Sequence, residues 1–328
     1  MTDDGTVETY LGPRPSAELG TTLMHEHIFV RNPELELSME FEEWDRAAMI
    51  DNAVAGLTEI HRLGIDTVVD LTVPGLGRDP TLVGEVAGRA PVTIIASTGW
   101  YGAAVLPPFF QLHGPDRLVS EPDPLIDLFL RDTNEGIGVS GVKAGMLKVT
   151  SSDDGITPDE SRVMTAVAIA ARQTGVSITT HSHPASRNGL EQQEFLLAQG
   201  VAPDRLVIGH SGDTDDIDYL REIMDTGSTI GLDRFGMEFV LDDGRRIDTL
   251  LSLIRLGYAD RLVISHDAAF YSHVTPPSWR TRAAPKWRMD NITTNVLPRL
   301  RAAGVLQEEI DQMMVANPER LLQRSVPG

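Results

Sequence analysis

The sequence predicts an α/β fold, a (β/α)8 TIM barrel, and three observations predict it. Eight short apolar runs rich in Val, Ile, Leu and Thr recur along the chain. Helix-length amphipathic segments separate most of them, as parallel strands require, because a parallel crossover is long and usually takes a helix. No glycine fingerprint follows the first run, although an open doubly wound sheet would normally carry one there.

In order, the first unit is an expected strand at 21–27 and a helix at 45–63, and the second a strand at 66–72 and a helix at 79–88. Strand 92–98 precedes helix 123–134, and strand 144–150 precedes helix 157–174. The second half continues with 176–182 and 189–199, 205–211 and 215–226, 229–233 and 245–256, and finally 261–267 and 290–303. Eight strand–helix units close naturally into a barrel, which delivers catalytic groups from its strand ends to one rim. At 328 residues the chain exceeds the usual domain, but barrels commonly run to about 250 residues and grow by loop insertion. No linker interrupts it, so 1–328 is expected to be one barrel domain, with 1–20 an N-terminal extension and 268–287 a rim loop.

Composition narrows the function classes. A formal charge of −20 without a Lys/Arg run argues against nucleic acid, whose phosphates need a basic face. The acids are scattered, at 34–43 and 153–160 for example, as on a solubilising surface with a modest bias toward neutral or cationic substrates. The polar, acidic stretch 1–19 lacks the halves of a signal peptide, and no apolar run reaches membrane-span length, so no membrane partner and a cytoplasmic location are expected. The chain has no cysteine. Disulfides and thiolate ligands are thereby excluded, and any metal must sit on His, carboxylate or modified Lys.

The candidate chemistry lies at the strand ends. His25 and His27 are two apart on one strand, so both imidazoles face one side and Glu26 the other. Two inward histidines are hard to keep neutral and hydrogen-bonded without a cation. Thr180-His181-Ser182-His183, Gly209-His210 and Ser265-His266-Asp267 each end a later strand. Imidazole and carboxylate suit Zn²⁺, Co²⁺, Fe²⁺ or Mn²⁺. For two metals a bridging group is still needed, and Lys148, at the end of the fourth strand, can provide one. Buried beside cations it would shed its proton, and the neutral amine can take up CO₂ to become a carbamate, chemically a bidentate carboxylate; taken alone, a strand-end Lys is more often a substrate-binding or structural cation. Lys143, at an odd offset from Lys148, belongs to the other face.

The segments Leu23-Met24-His25-Glu26-His27, Ala144-Gly145-Met146-Leu147-Lys148, Ile178-Thr179-Thr180-His181, Ile208-Gly209-His210-Ser211-Gly212-Asp213, Ile230-Gly231-Leu232-Asp233-Arg234 and Ile264-Ser265-His266-Asp267 resemble the phosphotriesterase family of the amidohydrolase superfamily, and within it the phosphotriesterase-like lactonases most. The resemblance runs in order from about Thr21 to Asn317-Pro318. It implies two divalent metal ions, the more buried one on His25, His27 and Asp267 and the outer one on His181 and His210, bridged by carboxylated Lys148 and a hydroxide. His183 and His266 match no ligand position and take supporting or rim roles. Asp213 matches a residue proposed to help shuttle protons. Arg234 stands where some phosphotriesterases carry a His in that shuttle, which resembles the lactonases and puts an imidazole relay in doubt. Tyr101 matches a lactonase tyrosine that points at the substrate.

The implied enzyme is a metal-dependent hydrolase that opens lactones, acyl-homoserine lactones or relatives, with promiscuous phosphotriester and aryl ester hydrolysis. The alternatives are an enzyme that is primarily a phosphotriesterase or carboxylesterase, a non-hydrolytic isomerase, and a metal-binding protein without activity. Asp267 would take the proton of the bridging hydroxide and pass it to the leaving alkoxide. A homodimer with a small-molecule ester or lactone as substrate is expected. The aromatic, Pro-stiffened rim loop, with Phe270, Tyr271, Trp279 and Trp287, is expected either to form an apolar channel for an acyl tail or to pack on itself or across a dimer contact. Many lactonase relatives carry cysteines just after the metal Asp, where this chain has Ala269 and Phe270.

Overall fold

The computed structural model describes residues 5–325. The barrel strands are β1 Thr22–Val30, β2 Thr67–Asp70, β3 Thr93–Trp100, β4 Ala144–Thr150, β5 Ile178–His181, β6 Leu206–Ile208, β7 Thr229–Leu232 and β8 Leu262–Ile264. Each pairs in parallel with the next, and a short ninth strand, β9 Ala269–Ser272, returns to pair with β1. The sheet closes through Asp267 N, which donates to His25 O at 3.0 Å, and His27 N, which donates to Ala268 O at 2.8 Å. This is the expected barrel.

The crossover helices follow from local chemistry. In α1 (Arg46–Arg62), α2 (Pro80–Ala87) and α3 (Pro124–Asn134) an Asp side chain caps the first turn, satisfying an N–H that has no helical partner. The capping box of Thr157 and Glu160 starts α4 (Pro158–Thr174), and Gly175 in the left-handed region ends it. The expected helix 245–256 begins two residues earlier, at Asp243. The expected continuous helix 290–303 is instead a wider π turn, Ile292–Val296, leading into Leu297–Ala302, where Pro298 lacks the N–H an α-helical ladder needs.

The N-terminal stretch is more than an appended polar tail. Its hairpin, Thr6–Thr9 with Gly12–Pro15, seats Val7 in a buried cluster with Leu19, Ile95, Met146, Val207, Leu321 and Leu322, so the hairpin and the helix Asn317–Leu322 close the barrel floor together. Pairing of β1 with β2 slips between Leu23 and Glu26. That irregularity resets the strand's alternation: Met24 joins the internal cluster, while His25 and His27 still project together at the opposite rim. No helix of the described residues is long and apolar enough to cross a membrane.

Candidate metal centre

The six residues expected as ligands converge at the C-terminal rim of the barrel. His25 Nε2 lies 2.8 Å from Lys148 Nζ and 3.3 Å from Asp267 Oδ1. His27 Nε2 is 3.1 Å from the same carboxylate oxygen. His210 Nε2 meets His181 Nδ1 at 2.9 Å and lies 3.9 Å from Asp267 Oδ2. All but Asp267, which is partly open, are buried. Two of them reach inward by an unusual backbone route: His210 and Asp267 adopt left-handed φ values of 59° and 53°, a region His and Asp tolerate better than most residues. The turn frees them from strand alternation.

Residues behind the cluster orient the rings. Asp233 accepts from His25 Nδ1 at 2.7 Å with one oxygen, and from His210 Nδ1 at 2.9 Å and His210 N at 2.8 Å with the other. His27 Nδ1 faces Thr72 Oγ1 at 2.8 Å, and that hydroxyl spends its own proton on Asp70 at 2.6 Å. The network therefore assigns Nδ1–H to His25, His27 and His210, leaving each Nε2 lone pair aimed at the centre. His27 Nε2 and Asp267 Oδ1 are then two acceptors in contact. Such convergence is repulsive until a cation enters it, and this is the observation by which the donor set fits divalent metal.

The protonation states agree. Burial pushes His27 and His210 down to about 4 and His181 well below the ordinary imidazole value, which keeps them neutral and able to ligate. For His25, burial and Lys148 act the same way, but Asp233 and Asp267 outweigh them and raise it. The same two carboxylates would draw a cation to the centre. Burial opposes ionisation of Asp233 and Asp267, yet the surrounding histidines hold both below the usual carboxylate range. Lys148 is pushed down to about 8 by burial, so a sizeable neutral fraction is available at physiological pH. Lys143 faces Glu8 at 3.6 Å, outside the centre, as its offset predicts.

Ligand atoms of His25, His27 and Asp267 lie within 4.8 Å of one another, as do those of His25, His210 and Asp233. In the second group Asp233 serves the Nδ1 side of both rings, so its place is that of an orienting partner. Sequence reasoning passed over Asp233, and it passed over Glu26 as a structural hub. Glu26 faces away from the centre, as β1 geometry requires, and accepts from Ser265 Oγ at 2.8 Å, His266 N at 2.9 Å, His266 Nδ1 at 2.6 Å and Ala268 N at 2.9 Å. It fixes the segment that carries Asp267. His266 has both ring nitrogens occupied, its Nε2 accepting from Ile292 N at 2.9 Å, which leaves it no free donor for a metal. His183 sits at the rim on Asp153 at 2.8 Å.

The remaining expected site residues line the mouth. Arg234 donates from Nε to Asp267 Oδ2 at 3.1 Å and from Nη1 to Asp213 Oδ2 at 2.8 Å. Burial works against its charge, but Asp267 and Asp213 raise its pKa far above the usual value. Asp213 is gripped from behind by buried Arg246 at 2.6 Å. Tyr101 stands edge-on to His181, ring centroids 5.5 Å apart, with its hydroxyl pKa raised by burial and then by Asp267. The rim aromatics divide. Tyr271 is buried against Trp44, and Trp287 donates from Nε1 to the carbonyls of His266 and Asp267 at 2.8 and 3.1 Å. Trp279 is exposed beside Phe239. The apolar cavity this loop helps to wall lies on the barrel flank, and none of the six ligand-type residues lines it.

Comparison with known proteins gives a consistent picture. The profile described as the phosphotriesterase family matches residues 5–322. The solved phosphotriesterase from Mycobacterium tuberculosis is 38% identical with a TM-score of 0.95, over 97% of this chain and 98% of that one. An aryldialkylphosphatase of Saccharolobus solfataricus is 37% identical over 93% of this chain and 95% of its own length. A structure described as engineering organophosphate hydrolysis activity from a weak promiscuous lactonase template is 32% identical with a TM-score of 0.87, over 97% of this chain and 99% of that one.

Proposed function

Because the chain belongs to the phosphotriesterase family, and is thus a hydrolase of that type, we propose that it is a metal-dependent lactonase with promiscuous phosphotriester and aryl ester hydrolysis. The observation that carries this reading is the convergent set of inward Nε2 lone pairs, Asp267 and depressed Lys148 at the rim. His25, His27 and Asp267 would hold one divalent ion and His181 and His210 the other, with carboxylated Lys148 between them. When bound, the two ions would lower the pKa of water toward neutrality and withdraw electron density from the scissile group.

The chain's own residues do the rest. Asp267, ionised at neutral pH, accepts a proton at a carboxylate oxygen and returns it to the departing alkoxide. Arg234 holds Asp267 by one oxygen and stays charged throughout, so it orients this carboxylate and does not relay protons. Asp213, held by two arginines, fixes Arg234 in turn. Tyr101 donates a hydrogen bond from its hydroxyl to the lactone, and its ring packs on His181 to keep that imidazole in place.

A second reading, an enzyme that is primarily a phosphotriesterase, is favoured by the name of the S. solfataricus relative. Arg234, in place of the His of some phosphotriesterases, and the lactonase template among the similar structures favour lactones. Initial rates on an acyl-homoserine lactone, a δ-lactone, an aryl ester and a phosphotriester, measured side by side, decide between them. The lactones should give the highest kcat/KM; a phosphotriester well ahead of both lactones would reverse the assignment.

A further inference from the structure

A cavity of about 300 Å³ opens on the flank of the barrel between α1 and the short helix Pro277–Ala283 of the rim loop. Its walls are mainly apolar, formed by Gly56, Ile60, Phe270, Ala284 and Trp287. Gly56 is what admits Phe270, since a Cβ there would stand 2.2 Å from the ring. Into this lining the chain sets Arg280, only 8% exposed. Its Nη1 donates to Ala269 O, its guanidinium lies 5.8 Å from the Trp287 ring centroid, and its buried Nε has no hydrogen-bond partner among the described residues. Burial lowers its pKa, to about 10, and no carboxylate among the described residues offsets the cost. The acids at the mouth are engaged elsewhere, Glu59 with Arg62 at 3.2 Å and Asp290 with Arg288 at 2.6 Å.

A buried guanidinium without a counter-ion is expensive, and the planar fork matches a carboxylate. A guanidinium without an ion pair among the described residues, in a mainly apolar cavity whose other charged lining groups, Glu59, Arg288 and Asp290, are in ion pairs, and near the lower end of the ligand-site range, roughly 300–1,000 Å³, suits a small amphiphile. We propose that this cavity binds a single-chain aliphatic carboxylate, its head on Arg280 and its tail along Phe270, Ile60 and Ala284. The site is separate from the metal cluster. Ala268 and Ala269 line the cavity, whereas the Asp267 side chain turns to the barrel interior, so only the strand segment itself lies between them. Trp287 borders the cavity and bonds the carbonyl of Asp267, which makes its fluorescence a reporter of occupancy.

Octanoate is the probe, titrated into the full-length, metal-loaded protein by calorimetry and by Trp fluorescence. Binding should be saturable at one per chain, and octanol should bind about tenfold or more weakly, the loss expected for charge-assisted hydrogen bonds. Arg280→Gln, checked for wild-type circular dichroism, should lose octanoate by a similar factor. Ala284→Phe, which fills the tail cavity and leaves Arg280 in place, should lose it too. No binding to the wild type would overturn the proposal, as would undiminished binding to both variants. Competitive inhibition of hydrolysis that persists in Arg280→Gln would put octanoate at the metal cluster and overturn it as well.

Discussion

Asp233→Asn tests the orienting role of a residue that would touch no substrate. The carboxylate accepts three hydrogen bonds, from His25 Nδ1, His210 Nδ1 and His210 N, between 2.7 and 2.9 Å. Asparagine has one acceptor oxygen and one donor group. With its oxygen toward His210 it keeps two of the three bonds, but its NH₂ then faces the Nδ1–H of His25. Two donors cannot pair, so His25 moves its proton to Nε2 and loses the lone pair aimed at the centre. Loss of such a partner typically costs about 10- to 100-fold in metal affinity or activity. Stability should change less than in Asp233→Ala, where the buried donors of both histidines lose their acceptor at about 1–3 kcal/mol each. Competition with a calibrated chelator gives metal affinity, and urea unfolding of the chelated proteins gives stability. An Asp233→Asn protein that keeps wild-type metal affinity and rate would refute the tautomer argument, because the centre would then be indifferent to which nitrogen of His25 carries the proton.

Lys148→Ala should lose most activity and be partly restored by a short carboxylic acid able to span two metals, while Lys143→Ala keeps its centre; equal metal content and rate in the two variants would remove the bridge assignment. Tyr101→Phe should slow lactone opening about 2- to 10-fold, the net worth of one hydrogen bond, and phosphotriester hydrolysis less, whereas Arg234→His should shift turnover toward phosphotriesters. Equal effects on both substrates would leave selectivity to the rim loop. Burial raises Asp70 to about 6, above its unfolded value of about 3.9, so the folded state prefers the proton. In chelated protein this group's contribution should be most favourable below pH ~4 and be lost as pH rises through 6, on the order of 3 kcal/mol. Asp70→Asn should lack that component when wild-type and variant unfolding free energies are subtracted at pH 4, 5, 6 and 7, and a constant difference would contradict it.

The barrel was legible because its strands are short, apolar and regularly spaced by helices, and the six candidate ligand residues could be placed at one rim because each ends or follows one of those runs. Their partners were harder to read. Asp233 stands in the sequence as the end of β7, and only closure of the barrel brings its two oxygens to rings on β1 and after β6. Glu26 could be assigned to the outward face of β1, but its partners lie about 240 positions away, beyond any local pattern. The rim loop shows the opposite difficulty. Its aromatics are obvious, yet Gly56 on α1 decides where Phe270 goes, so the apolar cavity forms on the flank and not over the histidines. Nothing local marks Arg246 on the helix Asp243–Arg255 as a buried residue; its complete burial under Asp213 follows from how the loop 237–241 folds back over it and accepts its hydrogen bonds at Met237 O and Leu241 O.

Metal content against activity is the most direct test of the account. Purified protein should carry close to two divalent ions per chain by elemental analysis. Chelation should remove activity, and Zn²⁺, Co²⁺ or Mn²⁺ should restore it in step with the second equivalent bound. Full lactone and phosphotriester turnover from a chain holding one ion or none would contradict the binuclear reading of His25, His27, Lys148, His181, His210 and Asp267.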